Sequence, residues 1–150
     1  MPKLISFIGD YNMAKSGRAF ADRKKVEVLT AAKTVEVADC GTLFVLNLAG
    51  GFTVTLPSIA TAGNGWWCKF IVRTAPSGAD YVIDLNGSDA ITGVIVSAED
   101  AAGSTDSAGT AQVEFKDGKA IQGDQVEIVC DGSRWYAVGY CNVQDGIDMA

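Results

Sequence analysis

Gln125–Tyr140, QVEIVCDGSRWYAVGY, is the stretch whose reading decides the fold class. Two apolar runs, Val126–Cys130 and Trp135–Val138, flank Asp131-Gly132-Ser133-Arg134. Asp-Gly between β-rich runs predicts a hairpin, because glycine tolerates the positive φ of a tight turn. A hairpin that carries Trp135 and Tyr136 must close onto something large, so the rest of the chain is expected to supply the sheet that receives it.

Working outward, the same grammar recurs. Trp66–Arg73 is the heaviest strand, and a period of two places Trp66, Cys68, Phe70 and Val72 on one face and Trp67, Lys69, Ile71 and Arg73 on the other. Leu43–Leu48 does not alternate, which predicts a strand covered on both faces. Phe52–Leu56 ends at Pro57, which removes a ladder donor. Ser58–Gly65 is a loop of small residues. Tyr81–Leu85 is followed by Asn86-Gly87, another turn signal, and Ile91–Ser97 and Ala111–Phe115 add further strands. Val26–Thr30 and Thr34–Val37 alternate around Thr30–Lys33 and read as strand, turn, strand. Ala98–Thr110, AEDAAGSTDSAGT, lacks any large apolar residue and reads as an exposed loop or tip. About ten short strands at this spacing predict an all-β fold, an antiparallel β-sandwich or barrel with an extended N-terminal arm. The expected organisation is an arm over residues 1–25, a β-domain over 26–141 and a short loose tail over 142–150.

The composition bounds the function. A chain of 150 residues fits one domain, and 48% hydrophobic against 20% charged residues is ample for a core. No run approaches the roughly 20 apolar residues of a membrane helix, and the start of the chain does not read as a secretory signal. There is no histidine, which removes Ser-His-Asp and Cys-His chemistry and the usual neutral-pH proton shuttle. Cys40, Cys68, Cys130 and Cys141 are widely spaced without a Cys-x-x-Cys pair. They read as small buried thiols, with one or two disulfides as the alternative and no metal site expected. No cofactor-binding motif occurs, and no enzyme activity is expected.

Charge is uneven. Residues 1–33 hold seven Lys/Arg and three Asp/Glu, whereas residues 34–150 hold five and fifteen. A basic leading segment on an acidic body suggests different partners for the two parts, and the acidic body argues against duplex DNA. The leading segment also carries Leu4, Ile5, Phe7 and Ile8. It reads either as a frayed terminus or as an arm that orders against a partner, with Leu4, Ile5, Phe7, Lys15, Arg18, Phe20, Arg23, Lys24 and Lys25 as the contacts. Asp84–Asp89 has oxygen ligands suited to calcium, but it lacks the EF-hand spacing and reads first as an Asn-Gly turn. Glu36, Glu114 and Glu127 fall at outward strand positions, as solvated faces rather than paired catalytic acids. Trp66, Trp67, Trp135 and Tyr136 are core or subunit-interface residues in the plainer reading and a sugar-stacking platform in the other. Neighbours on a strand face opposite ways, so one of each pair should point outward.

Phe52-Thr53-Val54-Thr55-Leu56-Pro57-Ser58, a Gly-rich loop, Trp67–Val72 and the closing Asp131-Gly132-Ser133-Arg134-Trp135 together resemble a recurrent β-domain of tailed-bacteriophage virion proteins. The resemblance spans about residues 42 to 140. Such domains occur in capsid decoration proteins, head fibres and tail-fibre tips, commonly as trimers. Tail fibres usually carry a shaft before the domain, whereas this chain begins with a short basic arm, so it looks most like a decoration (cement) protein. The resemblance implies a structural protein of the virion surface, made in the host bacterial cytoplasm. Its implied partners are the major capsid protein and itself as a homotrimer, without nucleic acid or membrane. A head- or tail-fibre receptor- or carbohydrate-binding domain is the alternative.

Overall fold

The computed structural model describes residues 23–87, 89–99 and 104–150, with backbone alone over 104–109. Most of the strands are short, and each is bounded by turn residues. In chain order they are β1 (Lys25–Leu29), β2 (Lys33–Thr34), β3 (Thr42–Leu46), β4 (Phe52–Thr55), β5 (Asn64–Val72), β6 (Tyr81–Asp84), β7 (Ile91–Ser97), β8 (Ser104–Thr110), β9 (Gln112–Phe115), β10 (Gln125–Asp131), β11 (Trp135–Cys141) and β12 (Ile147–Met149). One helical turn, α1 (Ile59–Ala62), lies in the small-residue loop, capped by Ser58, whose side chain accepts from Thr61 N–H.

The strands form two sheets, β1-β3-β5-β10-β11-β7-β8 and β12-β9-β6-β4-β2, packed as an all-β sandwich. From β1 to β7 every connection carries the chain to the opposite sheet. Strands two apart in sequence therefore become neighbours and run parallel: β1 with β3, β3 with β5, β2 with β4 and β4 with β6. The closing hairpin β10–β11 then inserts between β5 and β7. It runs antiparallel to β5, while β11 is parallel to β7.

The core lies between the sheets. Alternation in β5 works as the sequence predicts, with Trp66, Cys68, Phe70 and Val72 buried. Phe44 stacks on Phe70 with ring centroids 5.3 Å apart, and Trp66 meets Trp135 edge-on at 5.6 Å. From the five-stranded side, Tyr81 meets Phe52 at 5.0 Å. The Tyr81 hydroxyl accepts from Leu48 N–H and donates to the Thr74 carbonyl, tying two loops to the core.

Several expectations change. Leu43–Leu48 is not covered on both faces: Phe44 and Leu46 are buried, while Leu43 and Val45 lie on the outer face of β3. The sheets are mixed rather than antiparallel throughout, because consecutive strands cross the sandwich instead of folding back. Of the strand, turn, strand read over Val26–Val37, the second strand is only Lys33–Thr34, with Val37 opening a 3-10 turn, and β1 and β2 lie in opposite sheets. The region 142–150 is no loose tail. It ends in β12, paired with β9, and buries Ile147 and Met149. Within the expected loop 98–110, Ser104–Thr110 is a strand paired with β7; backbone pairing needs no large side chain, which is what the composition could not reveal.

Candidate functional site

The two outward-facing surfaces of the sandwich differ in chemistry. On the five-stranded sheet the outward positions are Thr53, Thr55, Asp84, Gln112, Glu114 and Asp148, with Val82 among them. The seven-stranded sheet is different. Register aligns one row across six strands as Val26, Leu43, Lys69, Glu127, Val138 and Val94. The next row is Val28, Val45, Ile71, Gln125, Tyr140 and Val96. A third, shorter row places Trp67, Val129, Tyr136 and Thr92 side by side. Val26, Val138 and Tyr140 are 56%, 48% and 57% exposed, so this face is largely apolar and no described residue covers it.

The aromatic pairs divide as strand alternation requires. Trp66 and Trp135 are buried, while Trp67 and Tyr136 face outward on either side of Val129. The indole of Trp67 lies under Gly41. The Tyr136 hydroxyl donates to Asp131 Oδ2 at 3.1 Å, and this hydrogen bond to the carboxylate raises the phenol above its ordinary pKa.

Of the expected arm contacts, Leu4, Ile5, Phe7, Lys15, Arg18 and Phe20 lie outside the described residues. Arg23 and Lys24 are exposed and enter no ion pair among the described residues. Lys25 opens the edge strand β1 and is already engaged, with Nζ 3.3 Å from Asp39 Oδ1. Asp39 also attracts Lys33, whose Nζ is 2.9 Å from Glu27 Oε1. Burial pushes the Asp39 carboxyl up, but hydrogen bonds from Glu36 N–H and Lys25, with the Lys33 charge, bring it below its ordinary value.

Other polar residues that the sequence singles out serve the fold. Asn86-Gly87 is a turn with φ of 39° and 88°. Asp89 faces inward, where Oδ2 accepts from Ile59 N–H at 2.7 Å and from Trp135 Nε1 at 3.4 Å. Lys116 Nζ bridges Asp80 Oδ2 at 2.7 Å and Glu114 Oε2 at 2.8 Å. Cys68, Cys130 and Cys141 are buried free thiols, Cys40 is an exposed one, and Cys130 and Cys141 sit at opposite ends of the β10–β11 hairpin. Burial pushes the Cys68 thiol well above its ordinary range, so it stays protonated. Among the described residues no His/Cys/Asp/Glu cluster has the makings of a metal site.

Sequence reasoning missed Val94, Val96, Val138 and Tyr140 as one surface. The signal lay in β7 and β11, which are apolar at outward as well as inward positions, but only register shows that these positions adjoin. No family model, curated protein or solved structure gives a significant match to this chain.

Proposed function

We propose that this chain is a non-enzymatic virion structural protein, a capsid decoration protein that attaches to the outer shell of a tailed bacteriophage as a homotrimer and stabilises it. The observation that carries this reading is the polarity of the molecule. A basic leading segment runs through exposed Arg23 and Lys24 onto an edge strand of an acidic sandwich. Among the described residues no strand lies beyond β1, so Arg23 and Lys24 sit at a rim of the sheet, and the proposed reading has the segment before them bind a neighbouring acidic surface. Three linked arms would bind with avidity set by effective concentration. Because the protein would bind the assembled lattice rather than free capsid subunits, the shell gains stability by mass action.

The test is shell stability with and without the protein. Capsids lacking it are expected to melt or release DNA at lower temperature, and the chain without residues 1–22 should no longer bind capsids. Equal melting with and without the protein would sink the reading.

The outward Trp67 and Tyr136 favour a second reading, a carbohydrate-binding fibre domain. A glycan array with the wild type and Trp67→Ala decides it: sugar binding lost in the variant supports this reading, and no binding at millimolar sugar counts against it.

A further inference from the structure

We infer that the outer face of the seven-stranded sheet is the surface through which copies of this chain associate. The inference deepens the self-association part of the proposed function and rests on it; attachment to a capsid is a separate property, tested separately. The face is set apart by contrast within one molecule. Both sheets bury their inner side chains, yet one sheet presents mainly Thr, Asp, Gln and Glu outward, with Val82 among them, while the other presents mainly Val, Leu, Ile, Trp and Tyr, with Lys69, Glu127, Gln125 and Thr92 among them. A solvated antiparallel or mixed face has no physical need for that second set, since exposed outward positions are ordinarily polar. An apolar patch of this kind marks an interaction surface.

Its size suits a copy of the same chain. Strands lie about 4.8 Å apart and residues rise about 3.4 Å, so six strands with two to three outward positions each give a face on the order of 500 Å². Three such faces gathered about one axis would together remove about 1,500 Å² from water.

Its charges are self-complementary. Lys69 and Glu127 are register partners in the middle of the face, and neither enters an ion pair among the described residues. A neighbouring copy related by rotation can set its Glu127 against Lys69 and its Lys69 against a further Glu127, so each copy carries both halves of the pair. A polar pair within an apolar patch also fixes the relative register of the copies, which hydrophobic contact alone does not.

The experiment is light scattering of the full chain over a wide concentration range. The expected result is an integral multiple of 15.7 kDa that persists into the low micromolar range. Val138→Lys with Tyr140→Glu should shift the chain to the single-copy mass, or weaken association at least about 100-fold. Both positions are half-exposed, so far-UV circular dichroism should be unchanged. Thr53→Lys with Gln112→Lys, on the opposite sheet, should leave the mass as in the wild type. Lys69→Glu should weaken association, and Lys69→Glu with Glu127→Lys should restore it. A wild-type chain of single-copy mass at every concentration overturns the inference, as does a folded Val138/Tyr140 variant that keeps the wild-type mass. Capsid binding by a single-copy protein would overturn the inference and leave attachment standing; an associating protein that ignores capsids would do the reverse.

Discussion

Asp124 is fully buried, and its carboxylate takes three N–H donors: Ile121 N at 2.9 Å, Asn142 N at 2.9 Å and Asn142 Nδ2 at 2.7 Å. One side chain thereby joins the turn before β10 to the segment after β11. Asp124→Ala would strand those donors away from water and is expected to cost about 3 kcal/mol, read as a fall in melting temperature of about 6–12 °C. An unchanged melting temperature would mean that water replaces the carboxylate. Asp80 has a different signature. Burial pushes its carboxyl up, but hydrogen bonds from Lys116 and Asp117 N–H outweigh this and hold it below its ordinary value of 3.8. Lys116 is raised above its ordinary 10.5, first by its hydrogen bond to Asp80 and then by that to Glu114. A depressed carboxyl contributes stability that is present above its unfolded pKa and lost as pH falls through its folded one. A raised ammonium contributes stability that is present below its unfolded pKa and lost as pH rises through its folded one. The Asp80–Lys116 pair should therefore act in full between about pH 4 and pH 10, with stability falling on the acid side below about pH 4. In Asp80→Asn, urea melts carried from neutral pH to below about pH 4 should show a shallower acid loss; an unaltered pH profile would place the acid sensitivity elsewhere.

At the scale of elements, the closing hairpin behaves as its sequence reads. Asp131 Oδ1 accepts from Ser133 N–H at 2.8 Å and Arg134 N–H at 2.7 Å, so the loop carries its own template. Asp131→Ala should speed hydrogen exchange at Ser133 and Arg134 while the protection of Ile128 stays intact. Where β11 meets β7, the strands approach so closely that a Cβ at Gly93 would collide with the Ala137 backbone. Gly93→Ala is expected to cost about 2–3 kcal/mol, since backbone has to move, and a chemical-denaturation midpoint measures it. The last strand carries a comparable share. Removing residues 147–150 exposes the edge of β9 and deletes buried Ile147 and Met149, each worth about 1.5–3 kcal/mol. A truncated chain as stable as the full one would show that β12 is dispensable.

For the molecule as a whole, the proposed function draws on two surfaces that the described residues leave uncovered: the apolar outer sheet face and the basic approach to β1. Attachment is expected to lie with the segment preceding β1 and self-association with the sheet face, so deleting residues 1–22 should remove capsid binding and keep the multimeric mass. Loss of both together would tie the two surfaces into one. The sequence by itself determined the all-β class and most of the strands, the hairpin at Asp131-Gly132, the inward set of β5 and the uneven charge. Each of these is local: a period of two, a turn dipeptide or a count of charged residues is complete within a short window. Only the tertiary structure decided which strands adjoin. A turn signal marks where the chain reverses or crosses, but does not distinguish a fold-back within one sheet from a passage to the other. Val26 and Leu43, or Tyr140 and Val96, become neighbours through pairing between distant segments. For the same reason Ser104–Thr110 and Ile147–Met149 were illegible as strands, since their order comes from the partners that hydrogen-bond them. The apolar face, too, exists only once six separate strands have been brought into register.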